Sequence, residues 1–380
     1  MLIQCTKKLL DKLGITAEEA INQERLKKEQ GENHDPLFSW HANLITIDRR
    51  KAMILVNDAS KYPIVLYRPQ AKDYKKLNDI IKAAIRTVLT EEGFREEIIE
   101  SYMMECGTAD FTRTGSKSAL AAMNYVASMI SYNTEYLKED QLLQEYLSRF
   151  LGNFMVKIEG KYAYPKDYLM GLLERYAQTD DNGNKKSVLS VEMYQLLVSI
   201  ILENHSIWRR VMVPANITFK QLHQAIQKVF DWLDYHAHEF EIFNGEKQVV
   251  LIAMDEEAYD LADIMQCPII MDYNTRLNQF LPEYKEAIYH YDLGDYWEHK
   301  IEVEKVIHDY PDYIITCLGG EGERPPEDVG GEGGYEDYLE VMADENHEEH
   351  DAIALWAEDQ KAKKFDLDDV NRKLKYIIKQ

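Results

Sequence analysis

The chain has 380 residues and a formal net charge of -23 at pH 7. It is too long for one ordinary hydrophobic core and too acidic for extensive non-specific binding of nucleic acid. Two domains are therefore expected, and non-specific binding to a phosphate backbone, which requires many lysines and arginines, is disfavoured. The four cysteines share no Cys-x-x-Cys spacing, which favours a reducing, cytoplasmic compartment over a disulfide framework. No apolar run reaches the roughly 18–20 residues of a membrane span, so no membrane association is expected, and no signal peptide is expected either.

The first half of the chain combines strand and helix patterns. Apolar runs separated by polar turns predict a strand meander near its start. Apolar residues at spacings of three and four then predict amphipathic helices, one of which Ser116 or Ser118 can cap. The predicted strands cover residues 38–67, 109–113 and 153–159, and the predicted helices cover residues 77–89, 116–130 and 137–150.

The second half is dominated by strand patterns. Thr218 and Gln221 form a capping box, which predicts the start of a helix, and Asn244-Gly245 predicts a type I′ hairpin turn. Residues 292–295 fit a type II turn with Gly294 at positive φ. The predicted strands cover residues 188–202 (one strand or a pair), 208–213, 238–243, 248–252, 287–291, 296–306 and 313–318, and the predicted helices cover residues 219–230, 335–342, 347–358 and 366–378.

The domain division is predicted from a polar segment in the middle of the chain. Residues 178–187 contain no apolar side chain, which is typical of a linker or an exposed loop. We therefore predict an α+β protein of two domains, each a small, mainly antiparallel sheet packed with helices. The first domain covers residues 1–160, a connecting helix and polar linker cover 161–187, and the second domain covers 188–380.

Histidines and aromatic residues concentrate in the second half. On a strand, the period of two places His236 and His238 on one face, and places Trp297 and His299 on one face of a later strand. Imidazoles at this spacing can share a metal ion, and Asp295 can complete the ligand set. The alternative is a partly buried polar cluster in which the imidazoles bond turn backbone and carboxylates.

A proline- and glycine-rich acidic loop, residues 325–331, is the second chemical feature. Two prolines restrict the backbone before Glu327 and Asp328, and two glycines free it afterwards. Such a loop can bind a cation, cap a groove or simply lie on the surface. The candidate ligand or partner pocket therefore comprises His236, His238, Tyr291, Asp292, Asp295, Trp297, His299, Glu327 and Asp328, with His236, His238, Asp295 and His299 as its candidate metal ligands.

The common catalytic signatures are absent from the sequence. It contains no Gly-x-Ser-x-Gly, Walker A, Gly-x-Gly-x-x-Gly or His-Glu-x-x-His motif and no zinc-type cysteine pairing. The sequence therefore identifies no catalytic residue, and a divalent metal is the only cofactor that it suggests.

Several motifs of residues 190–378 occur together in one known family. They include Ile207-Trp208-Arg209-Arg210, His238-Glu239-Phe240, the segment from residue 291 to 299, and Pro325-Pro326-Glu327-Asp328 with Gly330-Gly331. Through these motifs the second half resembles the plasmid pRiA4b ORF-3-like family, also labelled transposon-passenger TnpR-like. The first half resembles a second family of unknown function, DUF6933, through Cys5-Thr6-Lys7-Lys8, Trp40-His41-Ala42-Asn43-Leu44 and Val56-Asn57-Asp58.

The two resemblances imply a two-domain α+β protein and an association with mobile elements or host defence. Arg324 and Val329 stand where the first family often has cysteines, so a cysteine-based metal site is not expected in the acidic loop. We predict a cytoplasmic binding or regulatory protein whose C-terminal domain recognises a protein or small-molecule partner. The alternatives are a metal-dependent hydrolase or nuclease that uses the His/Asp cluster, and a DNA-binding transposition accessory protein.

Overall fold

A computed structural model of the chain shows two compact units, Met1–Ser190 and Val191–Ile378. Both units mix helices and strands, which confirms the predicted α+β class. Asp180 and Asp181 of the predicted linker lie outside the described residues. The structure describes residues 1–16, 18–19, 35–114, 116–179, 182–255, 257–258, 267–360, 364–375 and 377–379.

Within these residues, the first unit contains a five-stranded mixed sheet in the order β4-β3-β2-β1-β5 and a separate pair, β6-β7. Strand β1 runs parallel to β2 and β5, whereas β2, β3 and β4 form the predicted antiparallel meander. Its elements are β1 (Leu2–Cys5), α1 (Lys7–Leu13), β2 (Ser39–Ile47), β3 (Arg50–Asn57), β4 (Pro63–Tyr67), α2 (Ala71–Tyr74), α3 (Leu77–Glu91), α4 (Glu96–Cys106), β5 (Asp110–Arg113), α5 (Lys117–Tyr132), α6 (Glu145–Gly152), β6 (Val156–Ile158), β7 (Lys161–Ala163) and α7 (Pro165–Leu173).

Two of the three helices predicted for the first half, over residues 77–89 and 116–130, are present. Helix α3 buries the predicted face that runs from Leu77 to Leu89, and the Ser116 hydroxyl caps α5 by accepting from the N–H of Ala119. The predicted helix over residues 137–150 is wrong in its first half, because α6 begins only at Glu145. The side chain of Gln144 instead bonds both the N–H and the carbonyl of Lys138, and so closes a loop.

The second unit contains, in its described part, an eight-stranded sheet in the order β12-β11-β10-β13-β14-β8-β9-β15. Strands β11 and β12 pair in parallel and the other neighbours pair antiparallel. Its elements are β8 (Val191–Ile200), β9 (Ile207–Pro214), α8 (Phe219–Phe230), β10 (His238–Asn244), β11 (Lys247–Ala253), β12 (Ile269–Met271), β13 (Glu286–Tyr291), β14 (Trp297–Tyr310), β15 (Thr316–Glu321), α9 (Gly331–Ala343), α10 (His350–Asp359) and α11 (Leu367–Leu374).

Helix α8 begins at the predicted capping box. The Thr218 hydroxyl accepts from the N–H of Gln221, and the Gln221 side chain accepts from the N–H of Thr218, so two free donors of the first turn are satisfied. The apolar side of α8 packs on the sheet: the Phe219 ring lies 5.0 Å from the Phe240 ring and the Phe230 ring 5.2 Å from the imidazole of His299, measured between centroids. This face of the sheet is therefore the core of the second unit.

The long central strands show the predicted period of two. On β14, Trp297, His299 and Ile301 are buried, whereas the alternate residues Glu298 and Lys300 are only partly buried. The predicted strand or strand pair over residues 188–202 is one strand, β8, which covers Val191–Ile200 and is hydrogen-bonded to β14 and β9. The last strand, predicted over residues 313–318, begins and ends three residues later, at residues 316–321. Every helix in the described ranges is too short or too polar to cross a membrane.

Candidate functional site

The turn between β13 and β14, residues 292–296, carries two of the candidate site residues. Asp292 has a φ of +58°, and its Oδ1 accepts from the backbone N–H of Gly294 at 2.9 Å and of Asp295 at 3.3 Å. Aspartate tolerates this left-handed conformation because its short side chain can bond the backbone of the following residues. The predicted type II turn is therefore wrong: positive φ values occur at Asp292 and Tyr296 and not at Gly294.

Asp292 meets two other predicted site residues in a cluster that we call the His236 group: His236, Asp292 and Asp328. Nε2 of His236 lies 2.9 Å from Oδ1 of Asp328 and 3.4 Å from Oδ2 of Asp292. One possible ligand atom from each of the three residues lies within 4.8 Å of the others. The group joins the chain before β10, the turn after β13 and the acidic loop, so only the tertiary structure assembles it.

A buried carboxylate, Glu327, lies next to the His236 group. Its Oε1 accepts from the N–H of Leu233 at 2.6 Å and from the hydroxyl of Tyr291 at 3.4 Å. Its Oε2 is buried and has no hydrogen-bond partner in the described part of the chain. Burial raises the pKa of Glu327, against the opposing charges of Arg324 and His236. Because a buried oxygen without a partner is energetically costly, Glu327 is a candidate to contact a ligand.

Asp295 connects the turn to the acidic loop. Its Oδ2 accepts from the backbone N–H of Gly330 at 2.9 Å, and its own N–H is bonded by Asp292. Asp295 thus positions Asp292 relative to Asp328. The Tyr235 hydroxyl donates to Oδ2 of Asp328 at 2.7 Å, which holds the outer carboxylate of the group from the other side.

His238 lies in a separate buried cluster. Its Nε2 is 2.9 Å from Oδ2 of Asp272, and its imidazole stacks on that of His223 with ring centroids 3.5 Å apart and planes at 7°. Nε2 of His223 bonds Asp234 at 2.8 Å, and burial lowers the pKa of His223 to about 4. No sequence pattern indicates these partners, because each of them lies on a different element or loop.

His299 is a core residue. It is fully buried, its Nε2 accepts from the indole N–H of Trp232 at 3.2 Å, and its Nδ1–H donates to the carbonyl of Trp297 at 3.0 Å. Burial lowers the pKa of His299 to about 3, so the ring is neutral and both nitrogens are occupied by hydrogen bonds. Among the described residues, the predicted ligand set His236, His238, Asp295 and His299 does not form a cluster with metal-ligand spacing.

Trp297 is also a core residue, with its ring centroid 5.9 Å from that of Trp232. Its buried indole N–H has no hydrogen-bond partner among the described residues.

Arg324, which precedes the acidic loop, donates to the carbonyls of Asp231, Pro325 and Gln360. This residue therefore holds the loop by hydrogen bonds to the backbone.

A second cluster escaped the sequence analysis: Glu239, Glu241 and His290, the His290 group. One possible ligand atom from each residue again lies within 4.8 Å of the others. The alternation of side chains along β10 places the two glutamates on the face opposite His238 and Phe240. This alternation can be read from the sequence. Their meeting with His290 depends on the register of β10 against β13, and sequence patterns do not determine that register.

Each unit matches a known family. The family model of the plasmid pRiA4b ORF-3-like protein matches residues 192–374, and that of a domain of unknown function, DUF6933, matches residues 2–168. The family models match the two predicted resemblances in identity and order.

Two similar proteins carry no assigned activity in their names. The uncharacterized protein y4hQ of Sinorhizobium fredii is 30% identical over 154 residues, which cover 40% of this chain and 73% of the relative. The crystal structure of MM3350, a protein of unknown function from Methanosarcina mazei Go1, shares 38% sequence identity over 44% of this chain and 89% of that chain, with a TM-score of 0.38. The chain therefore belongs to the plasmid pRiA4b ORF-3-like family through its C-terminal unit and carries a DUF6933 domain in its N-terminal unit.

Proposed function

We propose that the C-terminal unit is a regulatory binding module that recognises a cation at the His236 group. The observation that carries this proposal is the convergence of His236, Asp292 and Asp328 beside the buried, partly unpartnered carboxylate of Glu327. An imidazole with carboxylates is a ligand set that suits Zn²⁺, Mn²⁺ or another divalent transition metal. Such an ion would offset the mutual repulsion of the carboxylates.

The charge balance of the cluster supports a cationic ligand. Within the described part of the chain, the ion pairs of Asp292 and Asp328 are formed with His236 alone. Arg324 lies close enough to act on the charge of Glu327, but its guanidinium donates to backbone carbonyls. Among the described residues, no lysine or arginine therefore pairs with Asp292 or Asp328, and the site favours a cationic ligand, which can be a metal ion or a basic group of a partner.

A metal-dependent hydrolase or nuclease is the second candidate function, and Glu327 is the observation that favours it. A carboxyl group with a raised pKa beside a possible metal site has the character of a general acid or base. The binding function ranks first because the sequence lacks the common catalytic motifs.

The test is metal binding by the full-length chain, purified without chelator or metal-affinity resin. We expect elemental analysis and calorimetric titration with Zn²⁺ and Mn²⁺ to show bound metal that His236→Gln and Asp328→Asn each reduce. Asp337→Asn, the same change at an exposed position of α9, is the matched control and should bind as the wild type does. Unchanged binding by both site variants would contradict the proposal. Turnover of a phosphodiester or amide substrate that Asp328→Asn abolishes would replace the binding function with the enzymatic one.

The association with mobile elements or defence, the cytoplasmic location and the DNA-binding alternative stay predictions. The association with mobile elements rests on the word plasmid in the description of the matching family. Since the net charge is -23, we expect no band shift with duplex DNA even at low salt, where phosphate contacts are strongest. A shift that disappears with rising salt would restore the accessory-protein alternative.

A further inference from the structure

The outer face of the second sheet carries the His290 group, on the side away from α8. Glu239 and Glu241 alternate on β10 with the buried His238 and Phe240, and Glu239 is directly opposite His290 on β13. On the same β13 strand, Tyr289 faces the core and contacts α8 through His223. The group and the core cluster are therefore separated by the thickness of the sheet.

The imidazole of His290 is held in place although it lies on an outer face. It is only 2% exposed, and the ring of Tyr296 stacks on it with centroids 4.3 Å apart and planes at 27°. Its Nε2 points to Oε2 of Glu241 at 3.0 Å, and its Nδ1 has no hydrogen-bond partner among the described residues. The buried ring therefore presents Nε2 towards the carboxylates in a fixed orientation, which limits the reorganisation needed to bind a metal.

The two carboxylates are positioned around that imidazole. Gln248 donates to Oε1 of Glu241 at 2.8 Å, which leaves Oε2 directed towards His290. No hydrogen bond to the Glu239 carboxylate occurs among the described residues, although one of its oxygens lies within 4.8 Å of the possible ligand atoms of Glu241 and His290. Two carboxylates and one imidazole therefore converge here.

No basic side chain neutralises this charge in the described part of the chain. The lysine on the same face, Lys300, bonds Glu286 at 3.2 Å and Glu302 at 3.0 Å, and the ion pair of Glu241 is formed with His290. A divalent cation bound between the three side chains would neutralise the two carboxylates. It would also give the Glu239 carboxylate a partner.

We propose that Glu239, Glu241 and His290 form a divalent transition-metal site on the outer face of the sheet, distinct from the His236 group. One nitrogen and two carboxylate ligands suit Zn²⁺ or Mn²⁺ better than Ca²⁺ or Mg²⁺, which prefer all-oxygen sets. Three protein ligands leave at least one coordination position for water or an external ligand. The hydroxyl of Tyr296, 3.4 Å from Nε2 of His290, lies beside that position.

The experiment measures bound metal per chain by equilibrium dialysis of the full-length protein against Zn²⁺ and Mn²⁺. We expect the double variant Glu239→Gln/Glu241→Gln to lose one metal equivalent relative to the wild type, while Asp328→Asn retains the equivalent of the outer face. Co²⁺ absorption provides a second readout, because a d–d band from the outer site should persist in Asp328→Asn and disappear in the double variant. Because the variants report on the two sites separately, the site on the outer face can be tested even if the His236 group binds no metal.

Glutamine is nearly isosteric with glutamate, so both substitutions should leave the sheet folded, which circular dichroism checks. A thermal shift supplies an independent control, since a ligand that binds the native state raises its melting temperature. Zn²⁺ should raise the melting temperature of Asp328→Asn and not that of Asp328→Asn combined with the two glutamines. Wild-type stoichiometry in the double variant, or no bound metal in the wild type, would overturn the proposal.

Discussion

The neutral, buried imidazole of His299 should make the stability of the second unit depend on pH. Burial lowers the pKa of His299 to about 3 in the folded protein, whereas an unfolded histidine titrates near 6.5. Between these two values the unfolded chain binds the proton and the folded chain does not. The free energy of unfolding therefore falls as the pH falls below about 6.5, by up to about 1.4 kcal/mol per pH unit for this group.

The substitution His299→Gln isolates this contribution. Glutamine can accept from Trp232 and donate to the carbonyl of Trp297, as the imidazole does, but it does not titrate. From pH 7 to pH 5, we expect the wild type to lose about 2 kcal/mol more unfolding free energy than the variant. His223, whose protonation burial also disfavours, and the carboxylates are present in both proteins. Their contributions to the pH dependence therefore cancel in the comparison.

Urea denaturation followed by tryptophan fluorescence is a suitable assay, because four of the five tryptophans lie in the second unit: Trp208, Trp232, Trp297 and Trp356. The same substitution at the exposed His308 is the control for the general loss of a histidine. An equal loss of stability in wild type and His299→Gln over this pH range would refute the assignment of a buried, neutral imidazole.

Two further predictions concern the start of α8 and the acidic loop. Thr218→Ala removes the hydroxyl of the capping box and should lower the free energy of unfolding by about 1 kcal/mol, measured by urea denaturation; an unchanged value would contradict the capping role. Gly331 has a φ of +69°, and a Cβ there would lie 2.8 Å from the carbonyl oxygen of Asp295, so Gly331→Ala should destabilise the second unit by about 1–3 kcal/mol and weaken metal binding at the His236 group. Gly333→Ala, where a Cβ meets no atom within 4 Å, is the matched control and should be neutral or stabilising; equal effects of the two substitutions would contradict the argument.

The elements that the sequence predicted well depend on short-range patterns. The period of two along β14 identified Trp297, His299 and Ile301 as one buried face, and the Thr218–Gln221 pair identified the start of α8. The error at residues 137–144 has a local cause as well, since the side chain of Gln144 bonds the backbone of Lys138 in a loop. Nothing in the sequence shows that the Gln144 side chain bonds the backbone in this way.

The candidate site was predicted only in part. His236, Asp292 and Asp328 came from the predicted set and do meet. His238 and His299 have other partners, Asp272 and Trp232, which lie far from them along the chain. Periodicity shows that a side chain points inward, but the partner that it meets there depends on long-range packing.

The sequence by itself determined the α+β class, the two family memberships and the faces of the long strands, because periodicity, capping and family motifs are carried by the residues themselves. Only the tertiary structure decided which imidazole meets which carboxylate. The register of β10 against β13 places Glu239 opposite His290, and a slip of one residue would turn every side chain of a strand to the other face. The His290 group therefore exists through strand pairing, and the His236 group through the meeting of three loops.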